Sequence, residues 1–233
     1  MIYGRMPMGT VSYMGGVPAV YEQFCWSWGQ FIQYNEEFLC DNKKYIHYDR
    51  ATFSDHAPAR NSLVQKALGD WLFMLDTDHV FEPDILHRLL TSMTEADIDV
   101  ITGMYQFKKK PYSPVVYGKN VQGNTQALIF WSEEAKLFRI EAAGAGCLLV
   151  KRKVFDRIRN ELGKEPFDRI EGYSEDHSFF KRLKELDIKA FCDPRVECNH
   201  VVVQPICLDD FKKYQPKNID KNTLTLMEVE GFQ

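Results

Sequence analysis

What this 233-residue chain lacks narrows its function before any motif is read. No run approaches the ~20 consecutive apolar residues of a membrane-spanning helix, and the segment after Met1 has neither the charged start nor the apolar core of an export signal. The chain is therefore expected to be soluble and cytoplasmic. Its six cysteines, Cys25, Cys40, Cys147, Cys192, Cys198 and Cys207, include no C-x-x-C pair. That argues against a zinc knuckle or a thioredoxin-like redox site and for reduced, mostly buried thiols. His47, His56, His79, His87 and His177 form no H-E-x-x-H or comparable zinc pattern. No G-x-G-x-x-G opens a helix and no glycine-rich, lysine-bearing loop is present, so neither a dinucleotide fingerprint nor a phosphate loop is read. Positive charge is not in excess either: 29 Lys and Arg stand against 33 Asp and Glu, for a net charge of −4, which excludes a general polyanion binder. The local clusters Lys108, Lys109, Lys110 and Lys151, Arg152, Lys153 read as solvated side chains, with a nucleic-acid contact as the alternative.

Apolar residues, by contrast, are plentiful. At 45% of the chain they suffice for one sizeable core. Tyr45–Asp49, Trp71–Asp76 and Asp99–Tyr105 read as strands and Ala59–Leu68 and Asp84–Met93 as helices, a βαβαβ order. Ahead of it, a strand near Ile2–Arg5 is followed by Tyr21, Phe24, Cys25, Trp28, Phe31 and Ile32 at the spacing of a helix face, whose aromatic stripe is assigned to the core. Lys110–Ala142, punctuated by Pro111, Pro114, Gly118 and Gly123, reads as short antiparallel strands or long loops. Cys147–Lys151 then reads as a strand leading into a helix from Val154. There is no repeat, low-complexity tract or interdomain linker, and the tail after Asp209 is expected to be partly mobile. The alternation predicts one α/β domain with a sheet covered on both faces and a ligand at the carboxyl ends of its strands.

Asp76 and Asp78 stand at such an end. Two carboxylates at alternate positions past a buried strand need a counter-charge, because an isolated buried ion costs many kcal/mol. A hard divalent cation shared with a diphosphate would supply it. The competing reading is a turn in which the aspartates cap the following helix. Farther along, Glu175 and Asp176 open a helix whose apolar face is Phe179, Phe180, Leu183 and Leu186. Carboxylates in a first turn face the helix's positive end and stay ionised, so one of them could accept a proton from an attacking hydroxyl; helix-dipole decoration is the alternative. His200, after a short strand in "CDPRVECNH", could add an imidazole to the same metal, a ligand that Mn²⁺ accepts more readily than Mg²⁺, or could be structural.

In this order and at these separations, "ARNSLVQKALGDWLFMLDTDHVFEPDIL", "EAAGAGCLLVKRKVFDRI" and "YSEDHSFFKRLKELDIKAFCDPRVECNH" resemble the GT-A glycosyltransferases, in particular family-2-like members encoded by phages or viruses. The resemblance covers about residues 59–200. It implies an α/β GT-A (nucleotide-diphospho-sugar transferase) fold, a Rossmann-like mixed sheet flanked by helices. One domain would span residues 1–233, with a nucleotide-binding half over about 1–105, an acceptor and catalytic half over about 106–208, and a tail over 209–233. It also implies a metal-dependent transfer of sugar from a nucleotide-diphosphate sugar to a hydroxyl acceptor. Mn²⁺ (or Mg²⁺) would be bound by Asp76, Asp78 and His200, with Asp78 a direct ligand and Asp76 reaching the ribose or a metal-bound water. Asp176 would be the catalytic base of an inverting reaction, with Glu175 its neighbour and possible substitute. Arg60, Asn61 and Asp49 would lie beside the nucleotide, Asp49 at the base. The acceptor could be a glycan, a protein, a lipid or a modified nucleobase, and a viral member would work in the host cytoplasm.

The chain also departs from that pattern. "MIYGRMPMGTVSYMGG" lacks the usual apolar first strand ending in a P-x-Y-N-like turn, which leaves the nucleotide pocket undefined there. Gly144 and Gly146 precede a strand instead of opening a helix, so they serve either close approach of backbone to a substrate or tight strand packing. Two other functions fit parts of the pattern. A nucleotidyltransferase would use paired aspartates and a metal but would release pyrophosphate, and it would leave the Glu175–Asp176 helix without a role. A catalytically silent module would bind a glycan or a partner, with Trp131, Tyr112 and Tyr117 stacking on sugar rings.

Overall fold

In the computed structural model, residues 5–15, 21–41, 43–52, 55–120, 122–123, 125–128, 136–202 and 205–213 are described. Trp131 and most of the tail lie outside the described residues. The chain runs β1 (Met6–Gly15), α1 (Glu22–Phe38), β2 (Lys44–Thr52), α2 (His56–Lys66), β3 (Trp71–Asp76), β4 (His79–Phe81), α3 (Ile85–Glu95) and β5 (Val100–Met104). It continues with β6 (Val116–Lys119), β7 (Thr125–Ala127), β8 (Phe138–Ile140), β9 (Ala142–Ala143), β10 (Cys147–Lys151), α4 (Arg152–Leu162), α5 (Glu175–Glu185), β11 (Ala190–Val201), β12 (Pro205–Ile206) and α6 (Leu208–Lys212).

The main sheet has the order β12-β11-β5-β10-β3-β1-β2. β1 pairs in parallel with β2 and β3, and β5 in parallel with β11, while β10 enters between β3 and β5 antiparallel to both. The sheet is therefore mixed. Along β3, Leu72 and Met74 join a core layer under α2, α4 and α5, whereas Trp71, Phe73 and Leu75 join the layer under α1 and α3. This alternation is the period-two geometry of a strand covered on both faces. Each layer is anchored by aromatics: Phe31 meets Phe73 and Phe81 on one side, and Phe167 stacks on Phe179 at 4.8 Å on the other. β6, β7 and β9 form a separate antiparallel sheet, as the proline- and glycine-broken stretch predicts. Among the described residues no helix is long and apolar enough to cross a membrane.

Several sequence expectations are corrected. The strand expected near Ile2–Arg5 falls, apart from Arg5, outside the described residues, whereas the first strand among the described residues is Met6–Gly15, inside the sheet between β2 and β3. Its buried positions include Thr10 and Ser12 beside Val11, so it shows none of the apolar run expected of an interior strand. The Thr10 hydroxyl makes this possible by donating to the Leu68 carbonyl at 3.0 Å and accepting the Leu68 N–H at 2.7 Å. Gly9 is required there: a Cβ would lie 2.1 Å from the indole of Trp71. α2 starts at His56, before Ala59, because Asp55 accepts the Ala57 N–H at 3.3 Å as its N-cap. His200 belongs to the end of a 12-residue strand and does not follow a short one. A register irregularity between Cys192 and Glu197 lets β11 pair with β5 and β8 first and with β4 and β12 afterwards. Of the cysteines, Cys147, Cys192 and Cys198 are buried and Cys25 is exposed, all with free thiols.

Candidate active site

β3 delivers Asp76 to the carboxyl end of the sheet, and the Asp76 N–H is held by the Gly146 carbonyl at 3.1 Å. Arg60, on α2, faces it. Its guanidinium is 2% exposed and lies 3.3 Å from Asp76 Oδ1, 3.6 Å from Glu175 Oε1 and 3.0 Å from the Ala145 carbonyl. Burial opposes its charge, but Asp76, Asp176 and Glu175 outweigh that and raise the Arg60 pKa above the usual arginine value. Glu175 opens α5 beside Asp176, with Ser174 capping the helix through the His177 N–H. Burial, and then repulsion from Asp176, pushes the Glu175 carboxyl up from the usual carboxylate range. His56 at 3.6 Å and Arg169 at 4.0 Å also approach Glu175. Asp176 is half-buried, and its charge reaches Arg60, Tyr105 and Tyr117.

The turn after Asp76 places Asp78 and then β4, whose antiparallel pairing with β11 sets His79 directly opposite His200. The two imidazole centroids are 4.3 Å apart. One ligand atom from each of Asp78, His79 and His200 fits within a mutual distance of 4.8 Å. Each histidine turns its Nδ1 to a backbone carbonyl, His79 to Gly146 at 3.1 Å and His200 to Gln106. A carbonyl only accepts, so Nδ1 carries the proton and Nε2 keeps its lone pair, the arrangement by which outer partners orient metal-binding histidines. His79 Nε2 is buried without a hydrogen-bond partner. Burial and then His200 push the His79 pKa down to about 4, and burial also lowers that of His200, so both rings favour the neutral form. Burial works against the Asp78 charge, but His79, the Lys108 ammonium in contact with it and His200 hold its carboxyl below the usual range.

The glycines of "AAGAG" are explained by this cluster. A Cβ on Gly146 would come 2.5 Å from His79 Cε1 and 2.8 Å from Asp76 Oδ2, and one on Gly144 would come 1.9 Å from the Tyr105 hydroxyl. They give the site's own side chains room. Tyr105, at the exit of β5, accepts the Gly146 N–H at 3.1 Å. Burial, followed by the charges of Asp76 and Asp176, keeps its phenol well above its usual pKa.

Of the residues implicated by sequence, the structure brings together Arg60, Asp76, Asp78, Glu175, Asp176 and His200. It ties Asp49 and Asn61 to other partners: Asp49 pairs with Lys66 at 3.7 Å, and Asn61 joins α2 to Asp168 and to the Phe167 N–H, both at 2.9 Å. Asp76 is engaged by Arg60, and the third member of the potential ligand group is His79, which lies beside the D-x-D yet escapes any spacing rule. Tyr105 and Lys108 were also missed. Lys108 carried a signal, its basic cluster, and was read as solvated.

Residues 32–159 match Glycosyl transferase family 2. No curated protein matches the chain by sequence. Among solved structures, A197 from STIV superposes with a TM-score of 0.57 at 20% identity, over 83% of this chain and 85% of that one. GalNAc-T7, solved with UDP, GalNAc and Mn²⁺, superposes with a TM-score of 0.56 at 11% identity, over 87% of this chain but 45% of that one. At such identities the structural likeness speaks for the fold alone. The family match contains β3, Asp76 and Asp78 and stops before α5 and His200, which join the cluster through the fold. Because that match extends over more than half of the chain, on the mixed sheet of a GT-A enzyme, the chain belongs to glycosyl transferase family 2 and is a glycosyltransferase.

Proposed function

We propose that the chain moves a sugar from a nucleoside diphosphate donor to a hydroxyl acceptor with inversion, using a divalent cation held by Asp78, His79 and His200. The observation that carries this reading is the pair of oriented imidazoles beside Asp78, with His79 Nε2 buried and unpartnered. An unmet buried acceptor costs roughly 1–3 kcal/mol, and a bound cation would remove that cost. Two imidazoles and one carboxylate suit Mn²⁺ better than Mg²⁺, which prefers an all-oxygen shell. When bound, such an ion stabilises the negative charge that develops on the departing diphosphate. The likeness to GalNAc-T7, solved with UDP and Mn²⁺, supports the same assignment.

Asp176 is the base of this reading. It accepts the acceptor's hydroxyl proton as the oxygen attacks the sugar carbon from the side opposite the diphosphate, which inverts the anomeric centre. Glu175 and Asp76 share Arg60, which fixes the start of α5 relative to the end of β3. Asp76 then faces the donor's ribose or a metal-bound water. About residues 1–105 form the nucleotide half and 106–208 the acceptor half.

Binding of UDP, GDP, CDP and dTDP, each with and without Mn²⁺, tests the donor class by thermal shift. A ligand at about 100 times its Kd adds roughly 2.7 kcal/mol, or about 5–10 °C for a chain of this size. Asp78→Ala is expected to abolish the Mn²⁺-dependent shift. Asp176→Asn is expected to keep it while lowering turnover by about 100-fold or more. Normal turnover in the Asp176 variant, or an NMR assignment of retained anomeric configuration, removes Asp176 from the role of base. Release of pyrophosphate in place of nucleoside diphosphate would mark a nucleotidyltransferase.

A further inference from the structure

The chain carries a net charge of −4, yet three consecutive lysines border one recess beside the site. Lys108, Lys109 and Lys110, with Phe107, Pro111 and His200, line a cavity of about 530 Å³, within the range of small-molecule sites. The connection that bears them is held as a hairpin-like turn. The Phe107 N–H donates to the Ser113 carbonyl at 2.9 Å, Tyr112 N–H to Lys109 at 2.8 Å and Val115 N–H to Tyr105 at 2.8 Å. The same turn fixes His200 through the Gln106 carbonyl. The recess therefore adjoins the Asp78–His79–His200 group, and Lys108 reaches from its wall to ion-pair with Asp78.

Resting on the metal and donor assignment above, we infer that Lys108 is a two-position cation: it neutralises Asp78 in the free protein and moves to the donor's diphosphate when a divalent ion takes Asp78. The recess it borders receives the phosphates. The two cations compete for one carboxylate, and like charges this close repel. A lysine can yield: its ammonium sits on a flexible four-carbon stem with three rotatable donors, and here its side chain is 37% exposed. The incoming diphosphate replaces the lost partner with charge-assisted hydrogen bonds of comparable or greater strength. As the bond between sugar carbon and phosphate oxygen breaks, the electron pair stays on that oxygen and the acceptor oxygen bonds to the carbon. Lys108 keeps its protons and acts by charge alone.

Two direct measurements on the full chain test this without turnover: Mn²⁺ binding followed by the electron paramagnetic resonance of free Mn²⁺, and calorimetric binding of inorganic pyrophosphate at saturating Mn²⁺. Lys108→Gln is expected to tighten Mn²⁺ by about threefold to fivefold, because the competing cation is gone, and to weaken pyrophosphate by about tenfold. Lys109→Gln makes the same change of charge on the same recess without a partner at Asp78. It is expected to weaken pyrophosphate and leave Mn²⁺ affinity unchanged. If Lys109→Gln moves Mn²⁺ affinity as far as Lys108→Gln does, a general field acts and the two-position role is overturned. Unchanged affinities in Lys108→Gln, with wild type binding both probes, overturn it too and leave the proposed function standing. Failure of wild type to bind Mn²⁺ removes the proposed function, and this inference with it.

Discussion

Asp76 and Asp78, two residues apart on one turn, are neutralised from opposite directions. Asp76 meets Arg60, a guanidinium 2% exposed that also serves Glu175 and the Ala145 carbonyl. Asp78 meets Lys108, more than a third exposed, on a connection outside the sheet. The buried arginine is locked by three partners and cannot leave without orphaning charges. The exposed lysine holds one contact and can be exchanged. One half of the site is thereby a fixed frame, and on the proposed reading the other is an exchangeable seat, as suits a protein that would hold a base still and admit a cation and a diphosphate beside it.

The largest expected effect breaks the fixed half. Arg60→Met leaves Asp76 and the buried Glu175 without their shared counter-ion, and removal of one partner from a buried pair costs about 3–5 kcal/mol. For a chain of this length that lowers the melting midpoint by about 6–20 °C. Lys108→Met, at the exposed seat, is expected to cost less than about 1 kcal/mol. Equal shifts in the two variants would erase the distinction, and calorimetric or dichroism melts of both decide it.

How much of this contrast the sequence exposed depends on how far apart the partners lie. Asp76 and Asp78 were legible because a buried strand of apolar residues ends at them, and Glu175 and Asp176 because a helix starts with them. Both are local patterns. His79 was not legible as a partner of His200, since only the pairing of β4 with β11 places the two imidazoles face to face. Lys108 needed the turn after β5 to reach back to Asp78. The interior position of β1 was hidden for another reason: it buries Thr10, whose hydroxyl is satisfied by the Leu68 backbone, and Ser12 beside Val11, so it carries no hydrophobic signature. The fold class and the four carboxylates of the cluster were readable, whereas the residues that accompany Asp78 came from long-range pairing.

A smaller effect sharpens the account of the fixed half. Glu175 has a folded pKa above the ordinary carboxylate value, first through burial and then through Asp176. The contribution of its protonated form to stability is fully present below the ordinary value and is lost as pH rises through the raised one, because the folded state holds the proton more tightly than the unfolded chain. Wild type should therefore lose stability relative to Glu175→Gln across that interval and run parallel to it on either side. Melting midpoints of both proteins on a common pH series read this directly. A flat difference would mean that Arg60 offsets burial and Asp176, and a wild type that gains stability relative to Glu175→Gln as pH rises would mean that Arg60 stabilises the Glu175 carboxylate more than they disfavour it.

The smallest effect concerns Asp49, on β2, whose partner is the half-exposed Lys66 at 3.7 Å in the last turn of α2. An ion pair of that kind is worth less than about 1 kcal/mol, so Asp49→Asn should leave the melting midpoint nearly unmoved. Its contacts also predict unchanged affinity for a nucleoside diphosphate in the presence of Mn²⁺. The resemblance that implies a base-recognising acid at this position predicts the reverse, a loss of nucleotide affinity with little loss of stability. Isothermal titration of Asp49→Asn separates the two. Weakened binding would extend the fixed frame of the donor site from β3 across β1 to β2, whereas unaltered binding would leave that frame on the residues gathered around Arg60.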